Sequence, residues 1–166
     1  MKTNYFNFEQ SPDGSSLTQN YFIDWLSKNE TARNAIHVGA VPYNVLNSTV
    51  EKYLLGDWFL GVKEKVVTLL ENDYKVLIYS GQNDIILGPA LTEPFLQGLK
   101  WSGQADFQKA TKSMWYTDDG KDLAGWIRQV DKTFTYAVVR NAGHMVPGDQ
   151  PERALDLLSR FVGDQW

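Results

Sequence analysis

Cysteine is absent from all 166 residues. Disulfides, thiolate metal sites and a cysteine nucleophile are therefore excluded within this chain. Histidine is almost absent too. His37 and His144 are the two copies, and with no His-x-x-x-His pair a zinc site is not expected. No run of 18 apolar residues occurs, so no membrane span is expected. The opening Met1-Lys2-Thr3-Asn4-Tyr5-Phe6 holds no apolar stretch, so no signal peptide is expected here, and any targeting signal would belong to sequence outside this one. Lys and Arg number 16 against 20 Asp and Glu, a net charge of −4 and a pI near 5.1. There is no basic run and no basic–aromatic ladder, which leaves nucleic-acid binding unsupported. Lastly, no Gly-x-Ser-x-Gly nucleophile elbow is present.

What is present suits a folded domain. Apolar residues make up 43% and aromatics 13%, too high for a disordered chain. The length allows one domain with a single core. Two glycosylation sequons, Asn29-Glu30-Thr31 and Asn47-Ser48-Thr49, lean towards the secretory pathway, and each reads equally well as a chance pattern on a polar loop.

Residues 1–17 read as a polar lead-in, with a turn over 11–16; 18–166 read as part of one α/β domain. Tyr21, Phe22, Trp25 and Leu26 share a helical stripe, with Thr18 suited to the N-cap. A helical turn follows over 31–36 and a short helix over 47–55. Phe59, Val62, Val66, Leu69 and Leu70 form an amphipathic stripe ending near Asn72-Asp73. Val76-Leu77-Ile78-Tyr79 is apolar at consecutive positions, the pattern of a strand buried on both faces of a parallel sheet. Residues 89–99 read as a helix, and 101–122 show no clear pattern. Residues 126–130 and 134–139 read as two strands around a tight turn. A helix starts near Pro151, with Ala154, Leu157, Leu158 and Phe161 on one face. Two or three strands and about five helices make an α/β chain with an incomplete, mostly parallel sheet, since so few strands would leave an apolar edge open.

Two residues stand where such sheets place chemistry. Asp84 follows strand 76–79 through Ser80-Gly81-Gln82-Asn83, and sites in open α/β sheets lie beyond the carboxyl ends of strands. Alone, it reads more simply as a turn aspartate bonding its own loop. His144 follows strand 134–139, flanked by Gly143 and Pro147. Alone, it reads equally as a structural loop histidine. Together they match the Asp-then-His order of an α/β-hydrolase triad. His37 has neither a preceding strand nor an evident partner and reads as structural. Asp118-Asp119-Gly120 with Asp122 reads as a surface turn, because the bidentate Glu of a calcium loop is missing. Ser15 and Ser16 lie in the polar lead-in and Ser80 on the Asp84 strand; none has the setting of a nucleophile.

Tyr74 to Asp84 resembles the serine carboxypeptidase segment that delivers the triad Asp. Asn141-Ala142-Gly143-His144-Met145-Val146-Pro147 resembles the segment that delivers its His. Asp149-Gln150-Pro151, Ala35 to Gly39 and Gly125-Trp126-Ile127-Arg128 fit the same family, and the likeness runs from about Tyr21 to the C-terminus, most similar to the vitellogenic-like carboxypeptidases. The resemblance implies the C-terminal part of an α/β-hydrolase fold. It implies a lysosomal, vacuolar or secreted glycoprotein that removes single residues from peptide C-termini, without metal or cofactor. Asp84 would orient His144, His144 would be general base and then acid, and Met145 would help line the leaving-residue pocket. The partner implied is an N-terminal, Ser-bearing part of the same enzyme, whether this chain is its processed subunit or a truncated product. Without that part the chain is expected to be inactive. Two other expectations remain open: a non-catalytic binding protein that covers its sheet edge by homodimerising, and an acyltransferase of the same fold.

Overall fold

The computed structural model describes residues 4–10, 17–42, 47–117 and 120–166, with the side chains of 17–20 left out. The expected turn over 11–16, with Ser15 and Ser16, and the Asp118-Asp119 pair lie outside the described residues. Contacts divide the chain into two units, 13–61 and the combination of 1–12 with 62–166.

The first unit is helical: α1 (Leu17–Lys28), α2 (Glu30–Ala35) and α3 (Ser48–Trp58). The helix starts at Leu17, so Thr18 sits inside its first turn and is not the N-cap. Both sequon asparagines are N-caps. Asn29 Oδ1 accepts the Ala32 N–H, and Asn47 Oδ1 accepts those of Thr49 and Val50, satisfying donors that a helix start otherwise leaves orphaned. His37 ends α2 in the left-handed region at φ 59° and is exposed.

The larger unit holds the sheet. Its elements are α4 (Lys63–Glu71), β1 (Val76–Gly81), α5 (Pro89–Gln97), α6 (Gln104–Lys109), β2 (Ser113–Tyr116), β3 (Leu123–Val130), β4 (Phe134–Val139), α7 (Val146–Asp149) and α8 (Pro151–Gly163). The strands form one sheet in the order β1-β4-β3-β2. β1 pairs parallel to β4, while β4–β3 and β3–β2 are antiparallel, so the sheet of this chain is mixed. The antiparallel part follows from chain economy. Only Asp131, Lys132 and Thr133 separate β3 from β4, too few for the crossover that a parallel pair requires. Asp131 takes φ 46° in that turn, a conformation an aspartate tolerates better than most residues.

The core lies on both faces of β4, whose six residues are all buried. Phe134, Tyr136 and Val138 face α4, α5 and α6, packing with Leu70, Leu96, Leu99 and Phe107. The Phe134 ring meets those of Phe107 at 4.9 Å and Trp101 at 5.8 Å. Ala137 and Val139 face the other way, onto Ile127, Ala154 and Leu157. The expectation of full burial belonged to β1, and that is corrected: Val76, Leu77 and Ile78 are half-buried and Tyr79 is exposed. The physical reason is position, because β1 is an edge strand of the described sheet whereas β4 is interior. Three elements escaped the sequence pattern. α6 and β2 lie in the stretch that showed none, and α7 is a single turn. Phe59 is also corrected. It caps α3, 86% exposed, and has no place on the α4 stripe.

Tyr136 carries a testable consequence. Burial pushes its phenol up to about 12. Ser80 lies near enough to oppose that shift, but its hydroxyl is turned to Thr92 Oγ1 at 3.0 Å, and among the described residues the Tyr136 hydroxyl has no hydrogen-bond partner. With the folded pKa above the unfolded value of 10.0, stability is intact below pH 10 and is lost as pH rises towards 12. The loss attributable to this group is about 2–3 kcal/mol. Tyr136→Phe should remove that component of the alkaline slope and cost nothing at pH 7, because the deleted hydroxyl is unpaired. Urea midpoints of both proteins from pH 8 to 12 test this, and equal alkaline slopes would refute it.

Candidate active site

Parallel pairing of β1 with β4 aligns Gly81 with Val139, so both strands end at the same edge of the sheet. Asp84 leaves β1 three residues later and His144 leaves β4 five residues later. The two loops are joined directly. The Gln82 N–H donates to Val139 O at 2.9 Å and the Asn83 N–H to Ala142 O at 2.8 Å. The approach is closest at Gly81, where a Cβ would lie 2.1 Å from Gly143 O; any side chain there would force the loops apart.

Asp84 and His144 meet. Asp84 Oδ2 lies 2.9 Å from His144 Nδ1. The Asp84 side chain is 4% exposed and that of His144 31%, so the carboxylate is sealed while the imidazole keeps an open side. The other carboxylate oxygen accepts the N–H groups of Ile86 at 2.8 Å and Leu87 at 3.2 Å. A carboxylate can only accept, so Nδ1 carries the proton and Nε2 is left with its lone pair. The pair can therefore take up a proton at Nε2 while the Asp84 carboxylate holds the Nδ1–H and stabilises the imidazolium, the work of the base and its orienting carboxylate in a triad. Among the described residues no serine is hydrogen-bonded to His144, and Ser80 is held by Thr92. No cluster of three His, Cys, Asp or Glu side chains among them could hold a metal.

Met145 follows His144, caps α7 and is 60% exposed. His37 lies in the other unit.

Sequence reasoning missed the segment that crosses both loops. Residues 4–10 belong to this unit. The Ile85 N–H donates to Tyr5 O at 3.2 Å and the Phe8 N–H to Asn83 O at 3.2 Å on the Asp84 side. On the other side the His144 N–H donates to Phe6 O at 2.6 Å, and the Phe6 ring lies 5.6 Å from the imidazole. Asn7 interrupts the aromatic run Tyr5-Phe6-Asn7-Phe8, and in the fold it is 4% exposed, where a polar residue needs a dedicated partner.

The serine carboxypeptidase family model matches residues 2–164. A venom serine carboxypeptidase of Apis mellifera is 42% identical over 95% of this chain and 32% of its own length. The human protein named "Probable serine carboxypeptidase CPVL" is 41% identical over 99% of this chain and 34% of its own length. The chain thus spans about a third of the length of these relatives. Among solved structures, a prohormone-processing carboxypeptidase of Saccharomyces cerevisiae, Kex1(delta)p, superposes with a TM-score of 0.75 at 22% identity, over 97% of this chain and 36% of the other. That likeness is one of fold.

Removing the Asp84 carboxylate would orphan two backbone donors and the imidazole at once. Asp84→Ala should cost roughly 2–3 kcal/mol of stability, the scale of a buried, charge-assisted acceptor. Asp84→Asn keeps one oxygen for Ile86 and Leu87 and should cost less than half as much. Equilibrium unfolding in urea measures both, and an Asp84→Ala loss below about 0.5 kcal/mol would show that the carboxylate is no anchor.

Proposed function

The chain belongs to the serine carboxypeptidase family, and from that premise we propose that it is the Asp- and His-bearing part of an enzyme that releases single residues from peptide C-termini. The observation that carries the proposal is the 2.9 Å contact between Asp84 and the inner nitrogen of His144. That contact leaves the outer nitrogen for a nucleophile on the same side of the sheet.

In this reading the Ser comes from an N-terminal part of the same enzyme, which docks beside the open edge of β1. His144 Nε2 takes the proton of the Ser hydroxyl as its oxygen attacks the last peptide carbonyl. Asp84 holds the Nδ1–H and stabilises the imidazolium. His144 then returns the proton to the leaving amine, and the C-terminal residue departs. A water gives its proton to His144 as its oxygen attacks the acyl-enzyme carbonyl, and His144 returns that proton to the departing Ser oxygen, which frees the Ser and the shortened peptide acid. Oxyanion donors come with the Ser-bearing part. Met145, beside His144 and exposed, supplies apolar surface to the leaving residue. No step calls for a metal or cofactor. The name of one relative, a venom enzyme, favours the secretory pathway as its location. Capping Asn29 and Asn47 in their sequons would then be glycan acceptors, and peptides the substrates.

The test combines this chain with its Ser-bearing part. The assembled protein should react with a fluorophosphonate on the Ser and hydrolyse a blocked dipeptide, while 1–166 alone should do neither. His144→Ala and Asp84→Asn should lower kcat on the order of 10⁴-fold or more. Turnover by purified 1–166 that disappears in His144→Ala would overturn the division of labour proposed.

A further inference from the structure

The feature that the reaction scheme does not use is the Asp149 carboxylate. It stands at the end of the single-turn helix α7 and gathers three donors from two parts of the chain. Its Oδ2 accepts the Gly143 N–H at 2.7 Å and the Asn7 side-chain amide at 2.9 Å, and its Oδ1 accepts the Gln10 side-chain amide at 3.0 Å. Gly143 directly precedes His144. Asn7 sits in the middle of the segment whose neighbours bond both loops, Tyr5 O and the Phe8 N–H on the Asp84 side and Phe6 O on the His144 side. Asn7 is also stitched into its own segment, since its Oδ1 accepts the Glu9 N–H at 3.2 Å and its backbone O accepts the Gln10 N–H at 3.0 Å.

We propose that Asp149 is a positioning residue: by holding Gly143 and Asn7 on one carboxylate oxygen, it clamps the segment Tyr5–Gln10 as a strap across the Asp84 and His144 loops and keeps the pair in reacting geometry. The catalytic consequence rests on the carboxypeptidase reading above; the clamp itself does not.

Physical reasons favour this arrangement. Loops beyond strand ends are the mobile part of a sheet, and the reacting pair sits on two such loops. An error of about 1 Å between catalytic groups costs on the order of a hundredfold in rate. The strap gives the Asp84 loop a backbone acceptor and a backbone donor and gives the His144 loop a backbone acceptor, so neither loop moves without breaking a bond to it. What keeps the strap seated is Asn7, buried at 4% exposure. Its amide is a costly group to leave unmatched, and a charged acceptor makes the strongest available match. Gly143 fits the same picture. A Cβ on it would lie 2.1 Å from Phe6 O and 2.5 Å from the Asn7 Cβ, so the strap lies directly against the peptide before His144.

The experiment uses the complete protein that carries this chain. Asp149→Ala and Asn7→Ala remove the clamp from either side, and Asp149→Asn keeps one oxygen that can still accept both Gly143 and Asn7. Hydrogen exchange of peptides covering 4–10, 82–88, 142–148 and 134–139 reads the clamp without reference to activity. We expect the first three regions to exchange at least tenfold faster together in both alanine variants, with β4 over 134–139 unchanged. Per site titrated by fluorophosphonate, kcat should fall about 10–100-fold with KM within about twofold. The double variant should be no worse than the more severe single one, and Asp149→Asn should recover to within about threefold of the parent. Titrating sites removes any fraction lost to misfolding, so a merely structural residue would leave kcat per site at the parental value, which would overturn the proposal. Faster exchange confined to 142–148 would overturn it as well, because Asp149 would then cap only its own loop. Should the parent protein hydrolyse no dipeptide, the carboxypeptidase reading falls by itself. Concerted exchange of the three regions would still support the clamp, and parental exchange in the variants would still refute it.

Discussion

The parallel pairing of β1 with β4 is the constraint on which the site depends. These strands are far apart in sequence, and β2 and β3 are threaded between them. Their parallel register brings Gly81 beside Val139, so two unrelated loops emerge side by side. Antiparallel pairing would have sent them to opposite ends of the sheet. β4 can hold this position because it is buried on both faces, with large side chains towards α4, α5 and α6 and small ones towards α8. The packing of one interior strand thus sets the distance between a carboxylate and an imidazole that are not part of the core.

That pair is capable of only part of a reaction. A carboxylate-oriented imidazole moves protons and stabilises a passing positive charge, but it forms no acyl intermediate and stabilises no oxyanion. A complete hydrolase needs a nucleophile and donors aimed at the developing oxyanion, and these must approach from the open side of His144. The half-buried β1, with Tyr79 exposed on an edge strand, fits a sheet that continues in another part of the protein. An apolar edge left bare would invite uncontrolled pairing. In the proposed enzyme the Ser-bearing part would supply the nucleophile and a neighbour for that edge together.

Most of the fold was legible where one residue pattern decided one element. The helices over 63–71, 89–97 and 151–163, and the hairpin of β3 and β4, follow from apolar spacing and a tight turn. Asp84 and His144 were legible because each comes shortly after a strand and their order matches a triad. β2 was not legible. It has four residues, of which Trp115 is the buried one, and so short a run has no period to detect. The burial of β1 was overestimated because an apolar run reports what a strand is suited to, while its position in the sheet decides what covers it. The role of residues 4–10 was out of reach for a different reason. Their bonds are to loops some 75 to 140 positions later in the chain, and no local window contains both partners.

Long-range dependence also explains the composition of the loops. Gly81 faces Gly143 O, and Gly143 faces Phe6 O, each at a distance where a Cβ would collide. Three backbone segments are stacked there at contact distance, with the Asp84 loop, the His144 loop and the strap in succession. Side chains would hold such segments apart, whereas bare backbone lets them exchange hydrogen bonds directly. Peptide N–H groups of Ile86 and Leu87 hold the Asp84 carboxylate, and His144 is held through its own backbone N–H on Phe6 O and its ring on Asp84. In this structure the precision of the Asp84–His144 contact comes from the backbone stack beneath it, and the stack in turn requires a residue that keeps its outermost layer in place. Asp149, the acceptor shared by the middle and outer layers, is the residue placed to do so.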